Sequence, residues 1–204
     1  MIGLLGIKVG IISIYNEDNN LIPITVIKNI NSYIINIIKE KNIIQVGMFE
    51  NFKNNKKITK SFLGFFIKKK LFPFNYIKEY KINNINNYFI GKEINNKIFF
   101  NGEKVNISAY TIGKGFSGNI KAHNFKRGPE THGSKHHRLQ GSLGAGTNPG
   151  RVFPGKKMSK HLGNIKCTIK NLKIVDILNN LILIKGSIPG KKGALININK
   201  NIIN

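Results

Sequence analysis

A chain of 204 residues, 41% of them apolar, is long enough for one ordinary domain and can bury a core, which excludes wholesale disorder. Thirty-three Lys and Arg against nine Asp and Glu give a formal net charge of +24. A free globular enzyme has no use for that self-repulsion; a polyanion would neutralise it, nucleic acid first, with anionic membranes and acidic partners behind. The lone Cys167 excludes a disulfide framework and a Cys-based zinc site, and no apolar run approaches the roughly 18 residues that span a bilayer.

In chain order, Met1–Ile12 is apolar but lacks a basic leader and a small-residue cleavage site, so it reads as a first strand rather than a signal peptide. No Arg- and Ser-rich transit segment is visible, and the chain reads as made where it works. Ile7–Tyr15 is rich in β-branched residues and runs into the turn cluster Asn16-Glu17-Asp18-Asn19-Asn20. Leu21–Lys28, Tyr33–Ile38 and Ile43–Met48 follow as short strands. Phe52–Ile98 reads as a small insertion, in which Ser61–Lys70 sets Phe62, Leu63, Phe66 and Ile67 on one helical face, Pro73 stops the helix, and one hairpin follows. Lys104–Thr111 is another strand. Beyond a long basic segment, Thr168–Ile177 and Leu181–Lys185 pair about Asn179-Asn180. The expectation is a mainly β globular domain, sandwich or small barrel, formed by 1–112 and 165–204 with a small α/β insertion at 52–98. Residues 113–164 form a separate loop extension.

That extension is made of different material. Ile, Asn and Lys fill 85 of the 152 positions outside Gly113–Asn164, as an AT-rich genome would produce, but 12 of the 52 inside it. Charge placement inside the segment is therefore more telling than the total. It holds all three arginines, all five histidines and ten Lys and Arg against one acid, Glu130. Its few apolar residues follow no helical or strand period, so it cannot build a core of its own.

Two nucleotide-binding patterns occur within it and neither fits. Gly113, Gly115 and Gly118 match GxGxxG, yet residues 119–129 offer no helical face and the ribose-binding acid would fall near Arg138. Gly150 to Lys157 nearly spells a P-loop, but Lys157 stands where Ser or Thr must hold magnesium and Pro154 removes a cradle amide. His132, His136 and His137 have metal-like spacing without an intervening carboxylate, and Arg138 would repel a cation. Phosphate contact and base stacking suit these residues better. Lys114, Lys121, Lys126, Arg127, Lys135, Arg138, Arg151, Lys156, Lys157 and Lys160 can grip phosphate, while Phe116, His123, His132 and His136 offer rings to unstacked bases. The bland alternative is a solvated basic loop with no fixed partner. Rivals of other classes are a nucleotide-using enzyme and a DNA-architectural protein.

Several stretches carry a family resemblance: Lys114–Gly118, Thr131–Ser134, Gly141–Gly144, Pro149–Met158 and Leu162–Asn164, with Met1–Gly10 at one end and Lys185–Gly190 near the other. They resemble the ribosomal protein L3 family, found in large ribosomal subunits, and Arg127–Ser134 and Gly144–Thr147 are nearest to cyanobacterial and plastid members. The resemblance implies a six-stranded β-barrel of the type seen in translation factors, built from both flanks. It implies a structural, non-enzymatic protein that binds 23S-type rRNA near its 3′ end, nucleates subunit assembly and neighbours ribosomal proteins L14 and L19. The basic loop would thread toward the peptidyl-transferase centre, with Ser142, Gly144, Thr147 and Asn148 at its tip. No catalytic residue, cofactor, metal, membrane or small-molecule substrate is implied. The expected home is a plastid ribosome, with the cytoplasm of an AT-rich bacterium or endosymbiont as the alternative. Ala109, Ile112 and Ala122 depart from the family's usual glycine, lysine and arginine, and Thr147 replaces a glutamine that some members methylate.

Overall fold

The structure is a computed structural model, and it describes residues 3–16, 18–48, 59–82 and 85–200. Met1 and Ile2 of the expected first strand, Glu17 of the first turn, and residues 52–58 and 83–84 of the expected insertion lie outside them. The strands are β1 (Leu4–Tyr15), β2 (Leu21–Asn29), β3 (Ser32–Ile38), β4 (Ile43–Met48), β5 (Tyr76–Lys81), β6 (Glu93–Ile94), β7 (Lys104–Tyr110), β8 (Gly115–Ser117), β9 (Lys160–Leu162), β10 (Lys166–Leu178), β11 (Leu181–Lys185) and β12 (Leu195–Lys200). Helix α1 spans Lys60–Lys68 and helix α2 spans Asn119–His123. The mainly β expectation holds, and no described helix is long and apolar enough to cross a membrane.

Six strands pair in the cyclic order β1-β12-β7-β10-β11-β2, and β2 returns to β1, so the sheet closes on itself. Every pairing is antiparallel. Alternation along each strand turns Ile107, Ile174, Ile182, Ile184, Ile196 and Ile198 inward to full burial, so isoleucine dominates the ring's filling, with Leu4 and Val105 beside it. Register shifts between Lys8 and Gly10, between Ile169 and Leu172, and between Ile174 and Asp176 supply the local bends that a closed sheet needs. Lys8 is buried at one rim, where its ammonium donates to the carbonyls of Ile188 (2.6 Å) and Gly190 (2.9 Å) and ties down the turn before β12. Strand β12 was not anticipated; its alternating Ile and Asn look like the composition bias around them.

A second sheet has the order β5-β4-β3-β6. It takes in β3 and β4, which the sequence presents as ordinary flank strands, so the insertion's sheet starts at Ser32 rather than near residue 52. Helix α1 covers it, and the helix face differs from the expected one. Phe66 alone is fully buried, against Ile35 and Phe74, with Phe65 beside it, while Leu63 and Ile67 stay exposed. The helix is rotated by about one residue because Phe66 and Phe65 are the side chains that reach the cluster of Ile35, Phe74, Tyr33, Leu71 and Ile77. It also ends before Pro73: Lys70 adopts a left-handed conformation, and Leu71 N–H closes back on the Phe66 carbonyl at 3.1 Å. Truncating Phe66→Ala should cost about 3–5 kcal/mol, read as a lowered urea midpoint, because the helix has no second buried anchor.

The chain divides into two compact units, residues 1–110 with 166–204, and residues 111–165.

Candidate nucleic-acid interface

The 111–165 unit is built from its neck outward. Thr111 N–H donates to the Ile165 carbonyl (3.0 Å), Asn164 N–H to the Thr111 carbonyl (3.2 Å) and Lys114 N–H to the Leu162 carbonyl (2.8 Å). Strands β8 and β9 continue the pairing, Gly115 opposite Leu162. The two arms run so close that a Cβ on Gly163 would sit 2.0 Å from the Ile112 carbonyl oxygen, and the backbone there is left-handed (φ +74°). Only glycine fits both conditions.

Above the neck the arms are held by one buried side chain. Asn119, 2% exposed, donates from Nδ2 to the Lys157 carbonyl (3.3 Å) and accepts from the Ser159 hydroxyl on Oδ1 (3.3 Å). His123 on α2 adds a ring-nitrogen contact of 3.0 Å to the Met158 carbonyl. Sequence reasoning missed Asn119 and Ser159, since one asparagine in an asparagine-rich chain carries no signal.

The next loop folds on itself: Gly128 N–H donates to the His137 carbonyl (3.0 Å), and the His137 ring contacts the Pro129 carbonyl (2.9 Å). Arg127 forms an ion pair with Glu130. Beyond it, Gly141–Gly150 has no charged residue. The Ser142 hydroxyl spans both the carbonyl and the N–H of Gly144 there. On the return arm the Arg151 guanidinium lies 5.0 Å from the Phe153 ring centroid.

Electrostatically the unit is one-sided. Lys114, Lys121, Lys126, Arg127, Lys135, Arg138, Arg151, Lys156, Lys157 and Lys160 are all exposed. Glu130, the segment's only acid, is engaged by Arg127, so the other nine cations have no carboxylate partner among the described residues. Phe116 is 69% exposed and meets the His161 ring edge-on. Such a surface can hold anions and stack rings.

The structure gathers only part of the expected set. Phe116, His136, Arg138 and Ser142 line one open groove of about 720 Å3, together with Leu139 and Met158. His132 is exposed elsewhere, and His123 is half-buried and spent on a backbone contact. Among the described residues no three His, Cys, Asp or Glu side chains are grouped to hold a metal. The GxGxxG segment is followed by a helix after all, but α2 is only five residues long, and the strand within the motif pairs antiparallel with β9 rather than in a parallel βαβ unit.

A mainly β chain with a second unit of exposed cations and few buried side chains has the construction of a structural ribosomal protein. The family model described as Ribosomal protein L3 matches residues 77–180. Large ribosomal subunit protein uL3c of Porphyra purpurea is 45% identical over 206 residues, covering 98% of this chain and 99% of its own. The protein of the same name from Phaeodactylum tricornutum is 46% identical over 205 residues (97% and 98%), and large ribosomal subunit protein uL3 of Trichodesmium erythraeum is 42% identical over 217 residues (97% and 96%). The chain belongs to the ribosomal protein L3 family, structural and non-enzymatic components of the large ribosomal subunit.

Proposed function

We propose that this chain is a primary binder of 23S-type rRNA near its 3′ end and nucleates large-subunit assembly. The observation that carries the reading is the arm's charge: nine exposed cations without a carboxylate, on a segment whose buried side chains are few. In this reading residues 113–164 form the rRNA-penetrating loop, and the closed ring belongs to the translation-factor type. The arm grips phosphate through Lys114, Lys121, Lys126, Arg127, Lys135, Arg138, Arg151, Lys156, Lys157 and Lys160, while Phe116, His123, His132 and His136 meet bases or ribose. Ser142, Gly144, Thr147 and Asn148 reach toward the peptidyl-transferase centre. The protein neighbours are L14 and L19, and the ribosome is that of a plastid, with an AT-rich bacterium as the alternative; relatives named uL3c and uL3 both support that pairing.

The test removes the arm. Thr111 and Ile165 are already hydrogen-bonded, so residues 113–164 can be replaced by a short turn without opening β7 or β10. Binding to an rRNA 3′-domain transcript, followed against salt, should lose about 0.7–0.9 log unit of slope per decade for each phosphate contact removed. An unchanged slope would place the phosphate work elsewhere and sink the assignment.

A further inference from the structure

We propose that Lys78 and Lys166 form a second phosphate site, on the unit that contains the closed ring, where an RNA phosphodiester docks with its nucleotide against Tyr110. The proposal rests on the reading that the chain binds rRNA. Strand β5 carries Tyr76 and Lys78, and the pairing of β7 with β10 sets Lys166 directly opposite Tyr110. These residues line a pocket of about 230 Å3, floored by Leu5 and bordered by Ser108. Lys78 is half-buried and Lys166 exposed, and both line this one pocket.

Two ammonium groups have donors only, so neither can satisfy the other. Lining one pocket they repel, and the partial burial of Lys78 deepens the cost. Burial first, and then the Lys166 charge, hold Lys78 below the ordinary lysine range. The neighbouring acid offsets this least of all: alternation along β5 turns Glu79 to the opposite face, where it accepts from Gln45 Nε2 at 2.8 Å, and its attraction for Lys78 is weaker than the effects of burial and of Lys166. Neither lysine has a salt-bridge partner among the described residues. What the pair lacks is one acceptor with several oxygens and a negative charge, which a phosphodiester supplies. Tyr110, 59% exposed beside Lys166, adds a flat ring that a base or ribose can use and a carboxylate cannot. The chemistry therefore favours a nucleotide over an acidic protein side chain.

The experiment uses the full chain bound to an rRNA 3′-domain transcript, with lysine acylation read by mass spectrometry before and after binding. Lys78 and Lys166 should lose reactivity at least about fivefold, as Lys121, Lys135 and Lys156 do on the arm. The double variant K78Q/K166Q should reduce the salt slope of binding by roughly 1.4–1.8 log units per decade, for two contacts, while K78R/K166R keeps it. Arm lysines protected with Lys78 and Lys166 unchanged would overturn this site and leave the proposed function standing. No protection anywhere would overturn both. Protection that comes only when other ribosomal proteins are added would assign the pair to an acidic protein partner and also overturn the proposal.

Discussion

Large subunits should fail to accumulate when Arg138 and Arg151 are reversed to glutamate, while Ser142→Tyr and Asn148→Trp should yield subunits that sediment normally but transfer peptide abnormally. Both arginines are exposed and have no carboxylate partner among the described residues. Charge-assisted hydrogen bonds are worth about 1.5–3 kcal/mol, so loss of each should weaken rRNA binding roughly ten- to hundred-fold, and reversal adds repulsion. Arg127→Glu should do less, since Arg127 already spends part of its charge on Glu130. The tip differs in kind: Gly141–Gly150 has no charge to lose, and apart from Leu143, Asn148 and Pro149 its residues are Gly, Ala, Ser and Thr, so bulk there changes fit rather than attraction. Sucrose-gradient profiles with peptidyl-transfer assays on the recovered subunits separate the two. Tip variants that block assembly while the arginine reversals assemble normally would invert the map.

The second large effect is expected at the neck. Gly163→Ala should destabilise the 111–165 unit by on the order of 2–3 kcal/mol, left-handed strain alone costing about 1–3 kcal/mol. The new methyl also meets backbone, the Ile112 oxygen at 2.0 Å and the Gly113 Cα at 2.9 Å, which cannot move aside as a flexible side chain would. Hydrogen exchange resolves the outcome: the amides of Lys114 and Asn164 should exchange faster, and those of Ile107 and Ile196 should stay protected. Unchanged exchange at Lys114 and Asn164 would refute it. Gly128→Ala is the companion case, with its Cβ 2.2 Å from the His136 carbonyl oxygen.

Much of the fold could be read from local pattern. Strands β1 to β4, β7, β10 and β11 announce themselves by β-branched runs between polar turns, because that periodicity is a property of each segment alone. Partners are not. That β3 and β4 leave the ring for a second sheet, and that β12 inserts between β1 and β7, depend on contacts between distant residues. Strand β12 was hidden by composition, since Ile-Asn alternation is both a half-buried strand and the background of this chain. The face of α1 went astray by one residue because helical spacing gives a stripe, while the cluster around Ile35 and Phe74 decides which part of it is buried. In the arm the charged residues were plain from Lys, Arg and Glu130 alone. The scaffold that holds them, Asn119 with Ser159 and the close approach at Gly163, was invisible because it consists of contacts between single polar groups about forty to fifty residues apart in the chain.

The ring's closing seam sets an order of events during synthesis. Leu4 pairs with Ile198 and Ile7 with Leu195, so the first strand must wait for nearly the whole chain before its second neighbour exists. At about 5–20 residues per second that delay is roughly ten to forty seconds. The cationic 111–165 segment is made and emerges earlier, while the ring is still open along β1 and β7. A nascent chain thus shows its polyanion-seeking segment before its hydrophobic interior is sealed. If the segment binds rRNA as proposed, that binding can begin during translation, before the last strand, β12, closes the ring.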